Sequence, residues 1–110
     1  MVDSAHVDSF TRDNLPPRDQ WPVMIFDLPK LQYPEQLNAA AVLLDSPLTS
    51  GLGDKTAVIA DDHTWTYAEL NAVVNRIANV LVQDLDIVPG NRVLIRGFNN
   101  AMTMATWLAV

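Results

Sequence analysis

The chain has 110 residues, a net charge of −6, no cysteine and 49% hydrophobic residues, which is the composition of a globular domain or of part of one. Its seven basic residues are dispersed, so no basic stripe is available to bind a nucleic acid or an anionic membrane surface. The N-terminus is polar and acidic rather than signal-like, and no apolar run approaches the ~20 residues of a membrane span. Together with the lack of cysteine, this predicts a cytoplasmic protein with no membrane span.

Residues 1–33 are predicted to form an extended, proline-rich leader. Five of the seven prolines lie within the first 34 residues, and proline lacks the amide donor that a helix needs. We expect residues 1–20 to be loosely held. Residues 21–33 contain many large apolar side chains, so we expect them to form a strap packed across another surface.

A helix is predicted to begin at Pro34 and to continue to about Leu44. Proline and Glu35 suit a first helical turn, and apolar residues then recur at helical spacing. Pro47 is expected to end this helix, and residues 46–55 have the composition of a loop.

A hairpin followed by a helix is the clearest local pattern. Residues 56–60 and 64–66 favour two short strands joined by a three-residue turn. Thr66 and Glu69 have the Thr-x-x-Glu spacing of a capping box, which predicts a helix over about 67–84. One face of that helix is apolar and consists of Leu70, Val73, Val74, Ile77, Val80 and Leu81.

A turn, a buried strand and a second helix are predicted to follow. Proline at 89 presets φ and glycine at 90 tolerates a positive φ, which favours a tight turn. Residues 92–96 have a continuously apolar centre, typical of a strand buried on both faces in a parallel sheet. Asn99 or Asn100 is expected to cap the second helix. The apolar residues of that helix are Met102, Met104, Ala105, Trp107, Leu108 and Ala109.

The fold is therefore expected to be α/β but incomplete. The second helix has no closing residue before the sequence stops at Val110, and a strand buried on both faces needs neighbouring strands. Both features predict that the chain is the truncated start of a larger domain.

Residues 51–56 (GLGDKT) approximate a phosphate-binding loop. Lys55 and Thr56 match the end of a P-loop, but Asp54 stands where glycine is required, and its carboxylate would repel phosphate. A dinucleotide-binding loop is excluded because the third glycine is missing. We interpret the segment as a solvated surface loop.

Two histidines and two aspartates are the other candidates for acid–base or metal chemistry. Asp61, Asp62 and His63 lie in the predicted hairpin turn, where aspartate commonly makes local hydrogen bonds. His6 lies in the leader, and no second ligand has the helical spacing of a metal site. We interpret the three turn residues as structural.

The hydroxyl and aromatic side chains are also expected to be structural. The loop hydroxyls belong to Ser46, Thr49 and Ser50. None has the glycine-flanked setting of a nucleophile elbow. The aromatic residues expected in the core are Trp65, Phe98 and Trp107. We assign no catalytic, cofactor-binding or metal-binding residue to this chain.

Four segments in order resemble the amino-terminal region of the acyl-adenylate-forming enzymes, which include acid–CoA ligases, peptide-synthetase adenylation domains and luciferases. The segments are residues 57–60, 64–71, 75–81 and 89–95. Their T-Y-x-E-L and P-G-x-R-V patterns are typical of that superfamily. The leader is similar to the start of 2-aminobenzoate and benzoate CoA ligases over residues 4–10, 13–17, 20–22, 26–29 and 33–35.

The resemblance implies a parent enzyme that is an AMP-forming acid–CoA ligase for a small, aromatic carboxylic acid. In that reaction the carboxylate attacks the α-phosphate of ATP, and the thiol of coenzyme A then displaces AMP from the acyl-adenylate. Magnesium stabilises the charge that develops at phosphorus. The resemblance divides the chain into the leader, 1–33, and the truncated start of an acyl-CoA synthetase-like domain, 34–110.

The superfamily's Ser/Thr/Gly-rich loop, its nucleotide-binding aspartate and its mobile lysine have no counterpart in this sequence. The fragment alone is therefore expected to be inactive and to bind none of ATP, Mg²⁺ or coenzyme A. Two alternatives remain open at this point: a non-catalytic module that self-associates through an open sheet edge, and a small α/β ligand-binding domain.

Overall fold

The computed structural model describes residues 4–110. Two compact units are present. The first unit contains the leader, the residues that follow it as far as Leu37, and the distant segment Val88–Asn91. The second unit contains Asn38–Ile87 and Arg92–Val110. The leader unit therefore includes one turn from the second half of the sequence.

Three short helical turns interrupt the leader. Helix α1 covers Phe10–Asp13, and 3-10 turns cover Arg18–Gln20 and Pro29–Leu31. Between the two 3-10 turns, residues 22–27 form neither helix nor strand. The prolines thus restrict the leader to single turns, as the sequence indicates.

The apolar side chains of residues 21–33 are largely exposed. Those at least half exposed belong to Val23, Met24, Ile25, Phe26, Leu28 and Tyr33. Contacts within the leader therefore do not cover these side chains, and the packing of this segment across another surface stays a prediction.

The Pro89–Gly90 turn forms as predicted. The Asn91 amide donates to the Val88 carbonyl at 3.0 Å, which closes the turn. Gly90 has φ +99°, a left-handed conformation that favours glycine.

The first helix of the second unit begins and ends later than predicted. Residues 33–38 are not helical, and Asn38 caps the helix by accepting a hydrogen bond from the Ala41 amide at 2.9 Å. A π-helical turn covers Ala41–Asp45, and helix α2 covers Ser46–Thr49. The predicted start at Pro34 and the predicted end at Pro47 are both wrong.

The wide π-helical turn explains how the helix continues through Pro47. In a regular helix Pro47 would leave the carbonyl of Leu43 without a donor, and its ring would collide with that carbonyl. In the observed turn the Ser46 amide instead donates to the Ala41 carbonyl, five residues earlier. Pro47 then lies in the first turn of α2, where a missing amide costs little.

The predicted hairpin is confirmed. Strand β1 (Thr56–Ile59) pairs in antiparallel fashion with β2 (Thr64–Thr66). Val58 lies opposite Trp65, and the register shifts between Thr56 and Val58. Such a bulge increases the local twist of a two-stranded ribbon.

The predicted capping box is confirmed at the start of helix α3 (Tyr67–Asn79). The Thr66 hydroxyl oxygen accepts from the Glu69 amide at 3.2 Å, and the Glu69 carboxylate accepts from the Thr66 amide at 2.8 Å. The hydrogen bond from the Thr66 amide, followed by that from the Thr66 hydroxyl, lowers the pKa of Glu69 below its ordinary value. Beyond α3, a π-helical turn covers Val80–Asp84.

Asn100 caps helix α4 (Ala101–Ala109) by accepting from the Thr103 amide at 2.9 Å. The sequence offers Asn99 or Asn100 as the cap, and the structure shows that Asn100 is the cap. The buried positions of α4 are Ala101 and Ala105. Val80, which the sequence placed on the apolar face of the preceding helix, is exposed, and so are four side chains that it placed in the core or on the apolar face of the second helix: Phe98, Met102, Met104 and Trp107. The assignments of Phe98, Met102, Met104 and Trp107 are wrong because the face of α4 that packs inward consists of Ala101, Ala105, Leu108 and Ala109.

One small core holds the second unit together. Its buried residues are Leu44, Leu70, Val74 and Ala105. Half-buried apolar residues packed around them are Ala57, Val58, Trp65, Val73, Ile77, Leu108 and Ala109. The core therefore joins α3, α4, the hairpin and the π-helical turn before α2, and Trp65 packs against it as predicted.

Residues 92–96 form no strand, which corrects the prediction of a strand buried on both faces. Leu94 is 93% exposed, whereas Val93 and Ile95 are half-buried. A strand requires a hydrogen-bonding neighbour, and these residues pair with no strand among residues 4–110. The α/β class itself is confirmed by the hairpin and its packed helices.

Candidate functional site

The loop between α2 and β1 uses its own backbone amides. The Gly51 amide donates to the Leu48 carbonyl at 3.1 Å, and the Leu52 amide donates to the Pro47 carbonyl at 2.9 Å. The Lys55 amide donates to the Leu52 carbonyl at 3.0 Å. A phosphate-binding loop must present free amides to its ligand. These three amides are therefore not available to a nucleotide phosphate, which supports the interpretation of the segment as a surface loop.

The same loop occupies the N-terminus of α3. The Tyr67 amide donates to the Lys55 carbonyl, and the Ala68 amide donates to the Gly53 carbonyl, each at 3.0 Å. The Glu69 amide is bonded to the capping threonine. A helix N-terminus attracts anions through its unpaired amides. Here those amides are already bonded, so the GLGDKT segment helps to start the helix.

The Asp62–His63 pair lies in the hairpin turn. His63 Nδ1 is 2.6 Å from Asp62 Oδ1, and the imidazole lies 4.7 Å from the Trp65 ring, centroid to centroid. His63 Nε2 is enclosed and has no hydrogen-bond partner among the described residues. A general base needs its free nitrogen within reach of a substrate proton. This geometry supports a structural role for the turn.

The remaining candidate groups are not brought together. The Thr49 hydroxyl donates to the Asp45 and Ser46 carbonyls within its own helix, at 2.9 and 3.0 Å. His6 lies exposed in the leader. Within residues 4–110, no three His, Cys, Asp or Glu side chains form a group that could hold a metal ion.

One contact was not found by sequence reasoning. The Val7 and Asp8 amides both donate to the Pro89 carbonyl, at 2.8 and 3.0 Å. The Asn91 side-chain amide donates to the Asp8 carboxylate at 2.7 Å. The partners are about eighty residues apart in sequence, and the Pro-Gly pattern indicates only the turn. No local signal could identify its partner.

The comparison with protein families identifies the class of this chain. Residues 49–110 match the family described as AMP-binding enzyme. The chain belongs to this family, which confirms the resemblance drawn from the hairpin, α3 and the following turn.

Similar curated proteins include two CoA ligases from Thauera aromatica. The benzoate–CoA ligase is 40% identical over 67 residues, which cover 61% of this chain and 13% of that protein. The 3-hydroxybenzoate–CoA/4-hydroxybenzoate–CoA ligase is 34% identical over 79 residues, which cover 72% of this chain and 15% of that protein. An acetyl-coenzyme A synthetase from Cupriavidus metallidurans is 46% identical over 65 residues, covering 54% of this chain and 10% of that protein.

The matched part of the chain thus spans about an eighth to a seventh of the length of the first two relatives. No solved structure shows a significant match. In the described part of the chain, the helices are too short or too polar to cross a membrane.

Proposed function

We propose that this chain is the amino-terminal part of an AMP-forming acid–CoA ligase that acts on an aromatic carboxylic acid in the cytoplasm. The observation that supports this most strongly is the similarity to benzoate and hydroxybenzoate CoA ligases at 34–40% identity, over most of the chain. The similarity to an acetyl-coenzyme A synthetase agrees with acid–CoA ligation in general but not with an aromatic acid.

In this proposal the chain contributes framework rather than reacting groups. The parent enzyme would use ATP and Mg²⁺ to form the acyl-adenylate and coenzyme A to form the thioester. In the GLGDKT loop the Gly51, Leu52 and Lys55 amides are bonded within the chain, as are the first three amides of α3, so these groups are not available to such ligands. We therefore propose that the residues binding ATP, magnesium and coenzyme A lie outside residues 4–110.

The test is ATP–pyrophosphate exchange, measured on the 110-residue chain and on a longer product of the same reading frame. We expect no exchange from the chain alone with benzoate, either hydroxybenzoate or acetate. The longer product should contain a Ser/Thr/Gly-rich loop ending in lysine and should exchange fastest with an aromatic acid. Exchange by the short chain would contradict the framework role, and a preference of the long product for acetate would contradict the aromatic substrate.

A second candidate function is a non-catalytic module that self-associates. It is favoured by the exposed apolar side chains of Leu94 and Phe98. Exposed apolar surface and unpaired strand edges promote association. Sedimentation at several concentrations tests this function, which predicts a mass that rises with concentration. A monomer at every concentration would contradict it.

A further inference from the structure

The leader docks on the Val88–Asn91 turn through two kinds of hydrogen bond, from leader amides to the Pro89 carbonyl and from the Asn91 side chain to the Asp8 carboxylate. Two leader amides, from Val7 and Asp8, share the Pro89 carbonyl. The Asp8 carboxylate accepts from the Asn91 side chain through one oxygen and from the Phe10 amide through the other, at 2.7 and 2.9 Å. Asp8 therefore both starts α1 and holds the turn.

The orientation of the Asn91 side chain is fixed from both ends. Its oxygen accepts from the Val88 amide at 2.9 Å, so its nitrogen must face Asp8. This arrangement distinguishes carboxylate from amide at position 8. An asparagine there has one acceptor oxygen where Asp8 uses two, so it cannot accept from both the Asn91 side chain and the Phe10 amide. The contact is thus specific for the side chains present and not merely for their size.

Gly90 is required by the leader as well as by the turn. A β-carbon at this position would collide with the Asp8 carbonyl oxygen and would lie 3.0 Å from the β-carbon of His6. Gly51 also has a positive φ, of +75°, but a β-carbon there would meet nothing within 4 Å. Both glycines are therefore favoured by their positive φ, but only Gly90 also leaves the space that the docked leader occupies.

We propose that residues 6–10 form a latch on the Val88–Asn91 turn, and that its opening releases the leader as a separate unit. The leader precedes residues 49–110, which match the family, whereas the turn lies within them. The latch thus attaches a segment outside the matched region to a turn inside it. Local opening of such a unit needs less free energy than unfolding of the whole protein. This inference does not depend on the activity of the parent enzyme.

The direct test is a double-mutant cycle on the 110-residue chain, read by amide hydrogen exchange at Val7 and Asp8. D8N leaves one acceptor oxygen for two donors, the Asn91 side chain and the Phe10 amide, and N91D places a second carboxylate against Asp8. Each should speed exchange about tenfold, the effect of one lost hydrogen bond to a charged group. The D8N/N91D double variant restores a donor opposite an acceptor and should return exchange to within about twofold of the native rate.

Two further measurements keep the proposal falsifiable. Amides of α3 should exchange at native rates in D8N, N91D and the double variant. Trypsin cleavage after Arg12 and Arg18 should be faster in each single variant and close to the native rate in the double variant, as predicted for exchange of the leader amides. G90A should open the leader more than tenfold, whereas the matched control G51A should leave leader exchange unchanged. Single variants with native exchange, a double variant no slower than the singles, or equal effects of G90A and G51A would each overturn the latch.

Discussion

The hairpin and helix of residues 56–79 and the extended segment of residues 92–98 place similar side chains in opposite environments. Leu70, on α3, is 2% exposed, whereas Leu94 is 93% exposed. The first region packs against α4 and against Leu44 in the π-helical turn that precedes α2. Its backbone hydrogen bonds are made within the hairpin and the helix. The second region has no strand partner among residues 4–110.

This contrast shows which elements a short segment of this family can form unaided. A helix and a hairpin satisfy their backbone groups locally, so a capping box and a tight turn are enough to start them. A strand of a larger sheet satisfies its groups only through neighbours. The same difference separates the confirmed parts of the fold from the exposed apolar segment of the leader.

The largest expected effect compares Leu70→Ala with Leu94→Ala. Removing the buried side chain should lower the free energy of unfolding by about 2–5 kcal/mol, because it loses apolar burial and leaves a cavity. Removing the exposed one should change the free energy of unfolding by less than about 0.5 kcal/mol. Urea unfolding followed by far-UV circular dichroism measures both. Comparable losses would show that residues 92–98 are buried in solution.

A smaller effect is expected at the start of α3. Thr66→Ala removes the acceptor for the Glu69 amide and should lower the free energy of unfolding by about 1 kcal/mol. Thr66→Ser keeps the hydroxyl and should cost only a few tenths of a kcal/mol. Urea unfolding of the two variants isolates the cap. Equal losses would assign the effect to the methyl group and not to the hydrogen bond.

The successes of sequence reasoning share this local character. Thr66 with Glu69, Asn100, and the Pro89–Gly90 pair each determine structure within a few residues, and each acts as predicted. The failures depend on context. Pro47 was expected to end a helix, but a π-helical turn accommodates it. Phe98 was expected in a core that the described chain does not provide.

The candidate site shows the same limit. Asp54 alone indicates that the GLGDKT loop is a poor phosphate-binding loop. The hydrogen-bond partners of its amides could be identified only from the structure. The latch between Asp8 and Asn91 could not be predicted, because hydrogen bonds between residues 83 positions apart leave no periodic signal. The absence of a catalytic residue from this chain stays a prediction, which the ATP–pyrophosphate exchange assay tests.

The smallest expected effect is a pH dependence of the cap. The pKa of Glu69 is lowered in the folded chain, so its contribution is fully present above the ordinary glutamate pKa of about 4.3. That contribution is lost as the pH falls through the lower, folded pKa. Glu69→Gln should therefore reduce the decline in the urea midpoint between about pH 5 and pH 3. An identical decline in both proteins would show that the carboxylate charge adds nothing to the cap.

Residue-by-residue hydrogen exchange on the 110-residue chain tests the central contrast most directly. We predict slow exchange throughout the interior of α3 and fast exchange at residues 22–27 and 92–98, because only the former amides are bonded within a packed element. Protection at residues 92–96 equal to that of α3, unchanged on dilution, would contradict the account, since it would show that this segment has a strand partner within the chain.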